Sequence, residues 1–150
     1  MKTLAKMLAG AEHLYVLGRS ISYQSALEAA LKIKEITYIH TEGFAGGELK
    51  HGTMALITKG TPAIVFAPLD DSYEAMLSNA MEIKSRGAMI IGISPKNSDI
   101  FDHWIPLEDI GQSIILSQIV PVQLLSYYIA LEKNLDPDKP RNLAKSVTVK

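Results

Sequence analysis

The chain has 150 residues, 47% of them hydrophobic, which fits one domain with a real core. Its formal net charge of −1 gives no electrostatic case for nucleic acid or an anionic membrane, so neither is expected as a partner. It has no cysteine, which excludes a disulfide scaffold, a thiolate metal site and a cysteine nucleophile. With no unbroken apolar run of about eighteen residues and no signal peptide ahead of the first strand, a cytoplasmic location is expected.

Met1 to Gly10 reads as a short amphipathic helix, with Leu4, Met7 and Leu8 on one side. His13 to Leu17 is a short apolar run that suits a buried strand. Gly18-Arg19-Ser20-Ile21-Ser22 then turns the chain into a helix. A strand, a Gly/Ser loop and a helix N-terminus can hold an anion on free backbone amides, so Gly18, Ser20 and Ser22 are candidate substrate contacts. Ser20 or Ser22 capping the helix is the plainer alternative.

The helix is expected at about Tyr23 to Tyr38. Gln24, Glu28, Lys32 and Glu35 fall at spacings of four, four and three, which puts them on one narrow stripe. The other faces carry Ala26, Leu27, Ala29, Ala30, Leu31, Ile33 and Ile36, which suits a helix largely buried against a sheet. The polar seam has two readings. Glu28–Lys32 in that order is an ordinary helical ion pair. Alternatively, Lys32 and Glu35 line a pocket where a carboxylate beside an ammonium does acid–base work. A loop follows, loosened by Gly43, Gly46 and Gly47 and crowded with Glu48, Lys50 and His51.

Thr61 to Ala67 is a second buried strand, with Pro62 at its start. The loop Pro68-Leu69-Asp70-Asp71-Ser72 leads into a helix to about Arg86, stopped by Gly87. Ala88 to Ser94 is a third strand and His103 to Leu107 a short fourth. Gln112 to Glu132 is a long apolar helix that Pro121 should kink or split. From Asn134 the chain is polar and proline-containing, an extended C-terminal tail. Strands and helices alternate and the strands are continuous apolar runs. The expected fold class is therefore α/β, a three-layer αβα sandwich around a parallel sheet. Ligands in such sheets sit beyond the carboxyl ends of the strands. The four histidines, His13, His40, His51 and His103, show no metal-ligand spacing, and neither common glycine-rich phosphate motif is present. No metal and no cofactor is expected.

Two stretches carry a resemblance. LEAALKIKEITYIHTEGFAGGELKHG (Leu27 to Gly52) and DPDKPRNLAKSVTVK (Asp136 to Lys150) resemble the second sugar-isomerase (SIS) half of the glutamine–fructose-6-phosphate aminotransferases, also called glucosamine-6-phosphate synthases. The resemblance runs from about Leu14 to the end. It implies the SIS fold, which is flavodoxin-like, over residues 1–134, with residues 135–150 as a tail closing over the sugar site. Glu35 matches the base that moves a proton between sugar carbons 1 and 2, and Lys32 the lysine beside it. His51 matches the histidine assigned to opening the sugar ring, which in the family reaches the neighbouring subunit's site. Lys145 matches the tail lysine near the open-chain carbonyl. Glu48 and Ala144 stand at matching substrate contacts. The implied ligands are fructose 6-phosphate and glucosamine 6-phosphate. The implied partners are a second copy in a homodimer, a glutaminase domain and a first SIS half.

Two departures bear on this. The family's phosphate pocket uses serine- and threonine-rich loops in the first SIS half, whereas here the matching loop holds Asp70 and Asp71. The family's glutaminase uses an N-terminal cysteine, which this chain lacks. The chain is therefore expected to be the catalytic half of an isomerase site, inactive alone. The alternative is a stand-alone SIS module that binds a phosphosugar without chemistry.

Overall fold

The computed structural model describes residues 1–143, the side chain of Gln112 excepted. The elements in chain order are α1 (Lys2–Leu8), β1 (His13–Gly18), α2 (Ile21–Thr37), β2 (His40–Ala45), β3 (Pro62–Phe66), α3 (Tyr73–Lys84), β4 (Met89–Ser94), β5 (His103–Pro106) and α4 (Ile114–Glu132). Short 3-10 turns occupy Glu48–His51, Thr53–Leu56 and Gly111–Ser113. The five strands form one sheet in the order β2-β1-β3-β4-β5, and every neighbouring pair is parallel. That order reverses between β1 and β3, which makes the gap between their carboxyl ends the topological switch point.

Alternation along the strands builds two cores. Leu14 and Val16 of β1, Ile64 and Phe66 of β3, and Ile91 and Ile93 of β4 face α1, α2 and α4. Tyr15 and Leu17, Ala63 and Val65, and Ile90 face α3 and the 3-10 turn that carries Leu49. The expected three layers are present.

Four expectations change. First, β2 replaces part of the expected glycine loop. HTEGFA has Glu and Gly inside it and sits half-exposed at the sheet edge, so it lacks the apolar run that marks β1, β3 and β4. Gly43 in β2 is required by packing: a Cβ there would lie 2.8 Å from the carbonyl oxygen of Ala26 on α2. Second, α2 is not buried on most sides. Its buried stripe is made of small residues, Ser22, Ser25, Ala26, Ala29 and Ala30, with Ile33 and Thr37, while Leu27 and Leu31 stay exposed. Third, Pro121 does not split α4, which runs through it as one helix. Pro121 leaves the carbonyl four residues earlier without its helical donor, and packing along α1 and α2 compensates. Fourth, α4 is long and apolar enough by length and composition to cross a membrane. Ser117, Gln118, Gln123 and Ser126 interrupt its sequence, which is why it reads as no unbroken apolar run.

Candidate active site

The expected site residues separate into two groups at opposite ends of α2. Crossover helices run antiparallel to the strands they join, so α2 starts at the carboxyl edge of the sheet and ends at the amino edge. From Ser22 to Glu35 the helix rises about 20 Å. One sugar phosphate cannot touch both ends.

At the carboxyl edge lie Gly18, Ser20 and Ser22. Gly18 admits no side chain, because a Cβ would sit 2.0 Å from the carbonyl oxygen of Ser22. Ser20 adopts φ 50, ψ −127 and makes no side-chain cap hydrogen bond, so the capping alternative fails for it. A serine with positive φ is uncommon, and such strain collects at functional sites. Ser22 is fully buried inside the helix, and its hydroxyl oxygen accepts from Gln118 Nε2 at 2.8 Å. It is closed to a ligand in this arrangement. The amides of Ser22 and Tyr23 already donate to the carbonyls of Arg19 and Ser20.

Next to this turn, at the switch point, is a recess of about 380 Å³ lined by Ile21, Pro68, Leu69 and Ile114 with the carboxylates Asp70 and Asp109. Asp70 Oδ1 accepts from the amide and hydroxyl of Ser72 at 2.8 and 2.6 Å, which commits that serine to the loop. Two carboxylates in one recess oppose a phosphate dianion. His51 and Glu48 lie in the 3-10 turn that follows β2, at this same edge. Gly46 N–H donates to Gly18 O at 2.8 Å and ties that segment to the end of β1. His51 is exposed and follows β2 at the carboxyl edge, whereas Glu35 lies near the other end of α2.

At the amino edge lies the second group. Lys32 Nζ donates to Glu35 Oε2 at 2.8 Å and sits 3.6 Å from Glu28 Oε1. Both members of the tighter pair are about 31% exposed, so solvent can reach them. The hydrogen bond to Glu35 raises the Lys32 pKa above its ordinary value; partial burial opposes this, and the charges of Glu35 and Glu28 add to it. Lys32 is therefore an ammonium at any physiological pH. The seam is a helical ion pair, and Glu35 borders a recess that Lys32 does not line.

That recess, about 240 Å³, is lined by Lys34, Glu35 and Tyr38 from the end of α2 and by Arg141, Asn142 and Leu143 from the tail. Tyr38 caps α2 in the left-handed conformation, φ 60. Its hydroxyl oxygen accepts from the Arg141 amide at 2.8 Å, and the Arg141 guanidinium lies 4.1 Å over its ring. This clamp fixes the root of the tail beside Glu35. Ala144 and Lys145 lie outside the described residues. Sequence reasoning missed Tyr38 and Arg141 as lining of this recess. They are 103 positions apart, and only the fold joins them. The two recesses differ in charge: Lys34 and Arg141 border Glu35, whereas Asp70 and Asp109 border the switch point.

Residues 7–103 match the family model for the SIS domain. The chain is 45% identical over 155 residues to the glutamine–fructose-6-phosphate aminotransferase (isomerizing) of Methanothermobacter thermautotrophicus, with 99% of this chain and 26% of that protein covered. It is 47% identical to the protein of the same name from Methanosarcina acetivorans, covering 99% of this chain and 25% of that protein. The chain thus spans about a quarter of the length of the curated relatives it matches. Among solved structures it is similar to the C-terminal domain of glucosamine-fructose-6-phosphate aminotransferase from Francisella tularensis, with a TM-score of 0.82, 36% identity, and 92% of this chain and 40% of that one covered. It is also similar to a glucosamine-6-phosphate deaminase from Thermotoga maritima, with a TM-score of 0.74, 27% identity, and 97% of this chain and 45% of that one covered. With the family model spanning well over half of its residues, the chain belongs to the SIS domain family.

Proposed function

We propose that this chain is the catalytic half of the isomerase site of a glutamine–fructose-6-phosphate aminotransferase. Such an enzyme converts fructose 6-phosphate to glucosamine 6-phosphate in the cytoplasm. The observation that carries this reading is the Lys32–Glu35 pair at 2.8 Å, whose Glu35 lines one recess with the clamped root of the tail. The similarity to proteins of that name over nearly the whole chain supports it.

In this reading Glu35 takes a proton from one of sugar carbons 1 and 2 and returns it to the other. A carboxylate on a helix end, held by a neighbouring ammonium, keeps its position through both transfers. Lys32 supplies that ammonium. Lys145, two residues beyond Leu143 in sequence, brings an amine toward the open-chain carbonyl, where it forms an imine or polarises the oxygen. The tail, residues 135–150, closes over the sugar. The phosphate is held outside this chain, on a first SIS half. The two carboxylates at this chain's own switch point support that assignment. The placement of His51 beyond the carboxyl end of β2, with Glu35 at the opposite end of α2, supports a cross-subunit role for His51 in ring opening. Glu48 travels with it.

The outward face of α4 supports the need for partner surfaces. Leu116, Val120, Leu124, Tyr127 and Leu131 recur every three or four residues and all are exposed. A helix apolar on every side is normally buried. A first SIS half and a second copy of the chain are the partners of this reading, with a glutaminase domain supplying ammonia.

The test is Glu35→Gln in the polypeptide that carries this chain with its glutaminase and first SIS domains. Isomerisation should fall at least about a hundredfold while glutamine hydrolysis persists. Isomerisation at the parent rate would overturn the assignment. The second reading, a phosphosugar-binding module without chemistry, rests on the strained Ser20 at the head of α2.

A further inference from the structure

The parallel register places His13, the first residue of β1, directly opposite His40, the first residue of β2. Their Nδ1 atoms are 3.2 Å apart and their rings meet edge to face, with centroids 5.3 Å apart. Both side chains are exposed. His40 N–H donates to the Glu12 carbonyl at 3.2 Å, so the backbones under the two rings are locked together. Neither histidine lines the Glu35 recess. The account of the sugar site above makes no use of them.

We infer that His13 and His40 form a chelating site for a borderline divalent transition-metal ion such as Ni²⁺, Cu²⁺ or Zn²⁺. Zinc–imidazole bonds are about 2.0–2.1 Å, and two of them at a near-tetrahedral angle separate the nitrogens by about 3.3 Å. The observed Nδ1–Nδ1 separation is 3.2 Å. The ring nitrogens already stand at the separation that a shared ion requires. Imidazole suits these ions and discriminates against Mg²⁺, which prefers oxygen ligands.

Without metal, the pair shares a hydrogen bond in which one Nδ1–H donates to the other Nδ1. Metal binding needs both rings neutral with the proton on Nε2. The donating ring therefore exchanges its Nδ1 proton for one on Nε2 through solvent, with no net proton release. His13 also borders an open recess of about 480 Å³ beside Glu12, Thr58 and Thr61, so water has room to fill the remaining coordination positions. Among the described residues no cluster of three or more His, Cys, Asp or Glu side chains is placed to hold a metal, so this is a two-ligand site. The two histidines are 27 positions apart, a spacing that resembles no metal motif. A bound ion would also pin the edge strand β2 to β1 and raise thermal stability by mass action.

The test is a calorimetric titration of the tag-free chain with Ni²⁺, then with Mg²⁺. The expected result is one saturable Ni²⁺ site per chain, weakened about tenfold or more in His13→Ala and in His40→Ala and unchanged in His103→Ala, with no matching Mg²⁺ binding. Absence of saturable Ni²⁺ binding would overturn the inference. So would parent affinity retained in His13→Ala or in His40→Ala, or equal binding of Mg²⁺. A second readout needs no variant: histidine ¹⁵N shifts on adding Zn²⁺ should report Nδ1 ligation on two rings, and ligation through Nε2 would refute it.

Discussion

Lys32 Nζ and Glu35 Oε2 are 2.8 Å apart, one helical turn from the end of α2. As a surface pair this contact contributes little to folding. Helical ion pairs with this exposure stabilise by about 0.2–1 kcal/mol. Lys32→Met should therefore shift the unfolding midpoint only slightly. In the assembled enzyme the same change should cut kcat for isomerisation by an order of magnitude or more, because Glu35 loses its ammonium neighbour. A large loss of stability with unchanged kcat would mean that the pair is structural. The Lys32 pKa is raised in the folded state. Its stabilising contribution is complete below the unfolded lysine pKa and is lost as pH rises through the raised folded value, so alkaline unfolding of Lys32→Met should be flatter than that of the parent.

The clamp between Tyr38 and Arg141 gives a prediction about the tail. Tyr38→Phe keeps the ring under the guanidinium and deletes the acceptor of the Arg141 amide. That hydrogen bond should contribute about 0.5–1.5 kcal/mol locally. Hydrogen exchange at the Arg141 amide should accelerate accordingly, and Tyr38→Ala should accelerate it further. Unchanged exchange in Tyr38→Ala would rule out the clamp.

Asp102 holds the far side of the sheet. Its carboxylate accepts from the Ile90 amide at 2.7 Å and pairs with Lys84 Nζ at 2.9 Å, linking β4, β5 and α3. Burial pushes its pKa up, but the Ile90 amide and Lys84 outweigh this and leave it below the ordinary carboxylate value. Its contribution is complete above the unfolded aspartate pKa and is lost as pH falls through the lowered folded value. Asp102→Asn should destabilise the chain near neutral pH by no more than about 1 kcal/mol, since solvent screens this exposed group, and the difference from the parent should shrink under acid conditions. A pH-independent difference measured by denaturant titration would contradict this origin.

The exposed stripe on α4 should govern association. Leu116→Lys with Val120→Lys changes two exposed residues, so folding stability should move by no more than about 0.5 kcal/mol. Light scattering of the parent chain should give a mass above 16.4 kDa, and the double variant should return to that value. A parent that is already monomeric at high concentration would remove the stripe as an association surface.

Much of the fold was legible because its strands are fully buried. PAIVF and MIIGIS are unbroken apolar runs between turn residues, and the parallel sheet follows from them. The edge strand β2 was not legible, since Glu42 and Gly43 break its run and it is covered mainly on one face. Gly43 looked like loop chemistry but is a packing requirement under Ala26. Gly43→Val should therefore cost about 1–3 kcal/mol through overpacking, which thermal denaturation would read out. In the site, the stripe Glu28–Lys32–Glu35 was legible from helical spacing alone. The roughly 20 Å between Ser22 and Glu35 is also implicit in the helix length. The contacts Tyr38–Arg141 and His13–His40 depend on tertiary packing and strand register, which leave no trace in local sequence.

The most direct measurement is a calorimetric titration of this chain with fructose 6-phosphate at matched pH and salt. The account holds that the phosphate is bound outside these 150 residues, so it predicts no saturable binding at millimolar sugar. Saturable binding that weakens in Ser20→Ala would place a complete phosphosugar site at the head of α2 and contradict the half-site.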